Sequence, residues 1–311
     1  MDGLFPSYNI ILTMKKNQDR LDKIPGEALL LLTAIIWGTG FVAQRKAMEG
    51  MQPFAFVALR FFLGCLVLLP ALLLSKNKEP AKGSLKERIL PGLVSGLFLF
   101  AGTSMQQLGI MTTSASKAGF LTSLYLVLVP VIGLFFGKKA NRWVWIGVGL
   151  ALLGVYYLSV DLQMSIQRGD IYLIIGALFW AMQILALDHY SSKTNILELA
   201  FGQFFVAAVL GLVMSLIGES GAMVPDPEAW GPLLYSGIVA VGMGFTLQVF
   251  GQSKVDPALA SLIMSLEAVF ALFGGMLFLG ERLSGREWWG CVIMMAAVVL
   301  VQLKGQQSKT E

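Results

Sequence analysis

Glu267 stands near the middle of a long apolar stretch, with Ile263, Met264, Phe270, Ala271 and Gly274 on its helical face. A charged group at that depth is costly to keep and by default marks function. Such a carboxyl can carry a proton or bind a substrate amine, so Glu267 is the proton-coupling candidate. The bland alternative is a structural Glu bonded to a neighbouring helix. Arg60 is a second intramembrane charge, about a third of the way into its own stretch. It can pair with a carboxylate, cap backbone carbonyls or snorkel outward along its stem. The expectation for Arg60 is a structural, topology-setting charge.

Around these stand polar and aromatic residues in repeated surroundings. Gly102-x3-Gln106-x2-Gly109 recurs as Gly244-x3-Gln248-x2-Gly251. Helical spacing puts each glutamine between glycines, so Gln106 and Gln248 are expected to offer amides to a groove. Trp37 and Trp180 lie too deep for interface anchors; with Gly38, Gly40 and Gln183 they can wall a cavity and stack on a flat or apolar ligand. Thr122 and Tyr125 share a face at a depth matching Glu267, where a phenol needs a partner. The expected cavity set is Trp37, Gln106, Thr122, Tyr125, Trp180, Gln183, Gln248 and Glu267. Enzyme readings find little support. The single histidine, His189, sits at a stretch end, so no HExxH metal site exists, and there is no phosphate loop or paired intramembrane carboxylates. No cofactor and no metal are expected.

The elements that must position these groups follow from composition. Of 311 residues, 56% are hydrophobic and 14% charged, with mean hydropathy +0.72. A soluble domain carries roughly a quarter charged residues. About 20 apolar residues make one helical crossing of the bilayer core. Ten runs qualify: 27–46, 53–74, 89–110, 116–137, 143–160, 170–190, 197–217, 230–252, 257–279 and 286–303. They are too long for barrel strands, and only helices or closed barrels satisfy the backbone in lipid. The fold class is therefore an all-α integral membrane protein.

The second half repeats the first. Trp37 recurs as Trp180, Phe61-Phe62 as Phe204-Phe205, Gln106 as Gln248, and Trp145-Ile146-Gly147 as Trp288-Trp289-Gly290. Arg60 corresponds to neutral Gln203. Five spans per copy force the second copy to enter from the opposite side, an arrangement that builds a central site with alternating access. The predicted organisation is a tail over 1–25, repeats over 26–160 and 169–303, and a tail over 304–311. Sixteen basic residues fall on the side of the N-terminus, among them Lys15, Lys16, Lys76, Lys138 and Lys193. Six fall on the other, Arg45, Lys46, Lys117, Arg168, Arg282 and Arg286, and Arg60 makes 23. The positive-inside rule then places both ends in the cytoplasm. Met14-Lys15-Lys16 is an alternative start, with 1–13 as upstream readthrough.

Gly92-x3-Gly96, Gly133-x3-Gly137 and Gly147 with Ala151 read as small-residue helix contacts. Trp143, Trp145, Trp288 and Trp289 read as interface anchors. Cys65 and Cys291 lie within spans and read as packing residues.

At these residues the chain resembles the EamA family of the drug/metabolite transporter superfamily. The resemblance rests on Ala34-Ile35-Ile36-Trp37-Gly38, Ala58-Leu59-Arg60-Phe61 and Ser116-Lys117-Ala118-Gly119-Phe120-Leu121 leading to Pro130. In the second half it rests on Ser265-Leu266-Glu267-Ala268-Val269-Phe270 and Gly280-Glu281-Arg282-Leu283. It implies ten helices in two inverted repeats, with a cavity lined mainly by spans 1, 3, 4, 6, 8 and 9. Ala268 stands where the family carries proline, which puts a helix break there in question. The expected function is a permease of the cytoplasmic membrane moving a small organic metabolite, an amino acid or related compound, outward by alternating access. A lipid or isoprenoid flippase and a non-transporting scaffold or receptor are the alternatives. The partners expected are that metabolite, membrane lipids and a second copy in a homodimer, with no nucleic acid.

Overall fold

In a computed structural model, residues 23–76, 84–113, 115–159, 167–219, 223–279 and 284–307 are described. The alternative start, both tail ends, the join between the halves over 160–166 and the Gly280-Glu281-Arg282-Leu283 motif lie outside them.

The described chain is helical throughout, without a strand. The first three spans are Gly26–Ala47, Pro53–Lys76 and Leu85–Ile110; the fourth is split into Ala115–Ser123 and Tyr125–Phe135. Arg142–Ser159 is the fifth, followed by Arg168–Ser191 and Ile196–Gly218. The eighth runs from Pro227 through a π-helical segment, Tyr235–Phe245, to Thr246–Gln252. The ninth is split into Pro257–Met264 and Glu267–Leu279, and Gly285–Gln307 is the tenth. Nine of these described helices are long and apolar enough to cross a membrane, and Arg142–Tyr157 is a shorter apolar helix.

Local chemistry sets the ends. Ser84 and Glu87 form a reciprocal capping box, and Glu287 accepts from the Ser284 backbone N–H at 2.7 Å while Ser284 Oγ accepts from Glu287 N–H. Each pair satisfies two amides that helix geometry leaves open. Asn195 Oδ1 accepts from Leu197 and Glu198, and Asp256 Oδ1 from Ala258 behind Pro257. The fourth span ends in a Schellman turn. Gly137 sits at φ +75°, with Lys138 N–H bonded to Gly133 O and Gly137 N–H to Leu134 O. Gly133-x3-Gly137 is therefore a helix stop rather than a helix contact.

The ninth span breaks although no proline is present at Ala268. Ser265 Oγ donates to Leu262 O at 2.7 Å and Ser261 Oγ to Ala258 O at 2.8 Å. The backbone tightens to three-residue hydrogen bonds at Leu266 and Ala268. In the fourth span Ser123 Oγ donates to Gly119 O, and Leu124 and Val127 make the same tightened bonds. Serine hydroxyls that bond the preceding turn compete with the helical ladder. Two serine-driven breaks thus stand at matching places.

Polarity is inverted relative to a water-soluble protein. Leu73, Phe135, Leu216, Ile217 and Leu277 are exposed, while Thr33, Gln183, Gln203, Gln248, Ser261 and Ser265 are fully buried. The packing partners come in exchanged pairs. The third span lies along the sixth and seventh, and the eighth lies along the first and second. The fourth meets the sixth and the ninth meets the first, while second and seventh, fourth and ninth, and fifth and tenth face each other.

Candidate binding cavity

Five glutamines, two tryptophans, Arg60 and Glu267 organise the centre. On the first three spans Gln44 Oε1 accepts from Arg60 Nη1 at 3.1 Å and from Gln106 Nε2 at 3.0 Å. Gln106 Oε1 in turn accepts from Trp180 Nε1 at 3.1 Å. On the sixth to eighth spans Gln183 donates to Gln203 Oε1 at 3.1 Å and exchanges amide contacts with Gln248 at 3.1 and 3.3 Å. Each half therefore strings one polar chain through its first three helices. Buried polar groups in an apolar medium need such partners.

Arg60 does not snorkel. It is 4% exposed, its guanidinium lies 5.1 Å from the ring centres of both Phe56 and Phe61, and its Nε lacks a hydrogen-bond partner. No described carboxylate stands within ion-pair distance of it; the ion pairs shown are Arg88–Glu198 at 2.7 Å and Lys138–Asp188 at 2.5 Å. Glu267, 3% exposed, opens the second segment of the broken ninth span. Its Oε1 accepts from Tyr125 Oη at 3.0 Å, and Tyr125 opens the second segment of the broken fourth span. Thr122 Oγ1, buried beside them, has no partner.

Aromatic rings close the remaining wall. Phe245 stacks on Trp180 at 12° and 5.8 Å and leans on Trp37 at 4.5 Å. Trp37 Nε1 donates to Ala240 O in the π-helical segment at 3.2 Å. The glycines predicted to clear a groove instead seat these rings: a Cβ at Gly102 would stand 3.2 Å from Trp180, and one at Gly244 2.8 Å from Trp37. Three pairs of repeated positions touch across the centre, namely Trp37–Trp180, Phe61–Phe204 and Tyr125–Glu267.

Together these residues line a cavity of about 30 Å³, room for a water or two and far less than an organic molecule. Of the residues expected to form it, Trp37, Gln106, Thr122, Tyr125, Trp180, Gln248 and Glu267 line it. Gln183 lies behind the wall, its amide taken by Gln203 and Gln248. Gln44, Phe41, Arg60 and Phe245 line it as well, so the second span joins the six expected. Gln44 was detectable as an amide inside the first span. Its repeat counterpart is Leu187, so repetition between the halves does not mark it.

Both ends above and below the cavity are tied. Arg88 joins the third span to the seventh through Glu198, and Lys138 reaches Asp188. At the opposite ends Arg45 Nη1 donates to Ile110 O at 2.7 Å and Thr113 O at 2.9 Å. There the Glu219 carboxylate also caps the second span at Phe54 N–H and Ala55 N–H. Helix ends on both sides of the cavity are thus held together by named contacts.

A multi-pass helical membrane protein with a small polar-aromatic cavity between its halves is the class that fold and site define. The match to known families makes the assignment narrower. The EamA-like transporter family is matched over residues 24–160 and again over 167–303, and the chain belongs to it. Similar proteins include an uncharacterized transporter of Archaeoglobus fulgidus, 33% identical over 276 residues covering 88% of this chain and 85% of the relative. The inner membrane transporter YedA of Escherichia coli is 26% identical over 288 residues, 90% and 91% of the two chains. A probable amino-acid metabolite efflux pump of Escherichia coli is 23% identical over 287 residues, 88% and 93% of the two. A crystal structure matches with TM-score 0.74 at 18% identity, covering 90% of this chain and 98% of the other; that likeness concerns the fold.

Proposed function

We propose that the chain is a secondary carrier moving a small organic metabolite, an amino acid or related compound, outward across the cytoplasmic membrane. In this reading 26–160 and 169–303 are inverted repeats, both termini are cytoplasmic, and the cavity opens to one side at a time. The observation that carries it is the meeting of two broken helices, Tyr125 on one and Glu267 on the other, at a small cavity that both halves line. Discontinuous helices at a mid-membrane site are the hallmark of carriers that rock one repeat against the other. Amino acids as cargo are supported by the name of one relative. Glu267 is the residue through which a proton would be coupled.

Between the second and seventh spans lies a separate apolar groove of about 320 Å³, walled by Leu66, Leu69, Phe201, Phe205 and Leu212 among others. It shares no residue with the cavity. It suits acyl chains of surrounding lipid, and a flippase reading would need it to reach polar side chains, which it does not.

The test is counterflow of labelled amino acids into proteoliposomes holding the purified protein. Saturable flux, lost in Glu267→Gln together with its pH dependence, is expected. Flux no greater than in empty liposomes for every compound would discard the carrier. Full pH-dependent activity in Glu267→Gln would discard the coupling role.

A further inference from the structure

The two halves solve the same structural problem with different charge, and the difference points at the cargo. Where Gln203 completes its polar chain with a neutral amide, the matching position holds the guanidinium of Arg60. The amide version shows that this scaffold holds together without an ion. A buried charge lacking a counter-ion costs far more than a buried amide, so stability alone does not account for the guanidinium. Gln203 lies away from the cavity and Arg60 lines it. Arg60 spends Nη1 on Gln44 and has aromatic faces from Phe56 and Phe61. Its Nε has no partner, and neither has the hydroxyl of Thr122, which also lines the cavity. Glu267 lines the cavity too, yet its described hydrogen bond goes to Tyr125 and not to Arg60.

We propose that Arg60 is the anion-binding residue of the cavity, and that the transported molecule carries a carboxylate which supplies the missing counter-ion. The proposal rests on the carrier reading and names one group on its cargo. A guanidinium offers donors in a planar fork that matches a carboxylate; Gln44 fixes one arm of that fork, leaving the rest for the ligand. The cavity of about 30 Å³ is too small for an organic acid, and Arg60 is held in it by Gln44 and the two rings. Opening must therefore widen the space beside Arg60 before an organic acid enters.

The experiment compares leucine, phenylalanine and threonine with their amides, which keep the side chain and amine but remove the negative charge. Ligand-induced change in melting temperature is read on the whole protein in detergent, at low and at high chloride and without any carboxylate buffer. At least one free acid is expected to stabilise the protein, with its amide about tenfold weaker or worse, as loss of a charge-assisted fork implies. Arg60→Lys should keep part of the preference and Arg60→Gln should abolish it, whereas Gln203→Leu, a scaffold change, should leave it intact. If Arg60→Gln does not fold, the acid–amide comparison on the unaltered chain still decides. Equal response to acid and amide, no response to any acid, an unchanged preference in Arg60→Gln, or a shift produced by chloride alone would each overturn the proposal. Flux separates it from the reading it rests on. Saturable transport of amides as fast as acids removes the anion role and keeps the carrier. Acid-selective binding without flux does the reverse.

Discussion

Replacing Tyr125 by Phe removes one oxygen and strands the Glu267 carboxyl without its described partner. A buried group left unsatisfied costs about 1–3 kcal/mol, so Tyr125→Phe should lower the melting temperature and alter the pH profile of flux while leaving flux measurable. Trp180→Phe keeps the stack on Phe245 but drops the Nε1 bond to Gln106. It should weaken apparent affinity in the same counterflow assay more than it lowers stability. Glu267, Tyr125 and the tryptophans were legible in the sequence because polar or bulky groups at mid-span stand out against apolar neighbours. Gln183 was misplaced for a physical reason. Periodicity fixes which face of a helix a residue occupies, and not whether that face meets a cavity or another amide.

Helix against helix, the glycines decide how near the backbones come. Gly92 and Gly202 face each other between the third and seventh spans, where a Cβ on Gly92 would sit 2.8 Å from Gly202 Cα. Backbone cannot yield as a side chain can, so Gly92→Ala should destabilise by about 1–3 kcal/mol, as overpacking does. Gly149, with nothing within 4 Å, is the control: Gly149→Ala should be neutral or mildly stabilising through helix propensity. Thermal unfolding in detergent compares the two. The span count and the Gly92-x3-Gly96 contact were readable from hydropathy and spacing alone. The breaks were not, because the expected signal was a proline, and Ser123 and Ser265 reach the same end through hydroxyl bonds to the preceding turn. The π-helical turn of Tyr235–Phe245 has no sequence signature that we can identify; its Gly237, Gly242 and Gly244 lie against Leu63, Val67 and Trp37.

For the molecule as a whole, closure on both faces is set by few contacts, and each is separately removable. With Cys65→Ala and Cys291→Ala as background, Thr122→Cys puts a thiol in the cavity. Glu198→Gln should speed its labelling from the side of Arg88, and Arg45→Gln from the opposite side. Labelling unchanged in both variants would show that other contacts hold the gates. The two-fold repetition is legible in Trp37 and Trp180, and the exchanged packing of third with sixth and eighth with first follows its order. The size of the cavity was not visible, since the same residues would line a wider one.

The contacts between counterparts, Trp37 with Trp180 and Tyr125 with Glu267, have a kinetic corollary for inverted halves that swap shapes. Under the inversion proposed above, matched positions that touch would lie at the axis exchanging the halves, and points on an axis stay put while everything else changes places. The Tyr125–Glu267 contact would then keep its depth through every turnover, as a pivot. The counterpart of Arg60 is an amide, Gln203, so the approach from one face differs from the approach from the other. Half-saturation should be unequal on the two faces, and for an undriven carrier maximal rates must be unequal in the same ratio, because no passive device can pump.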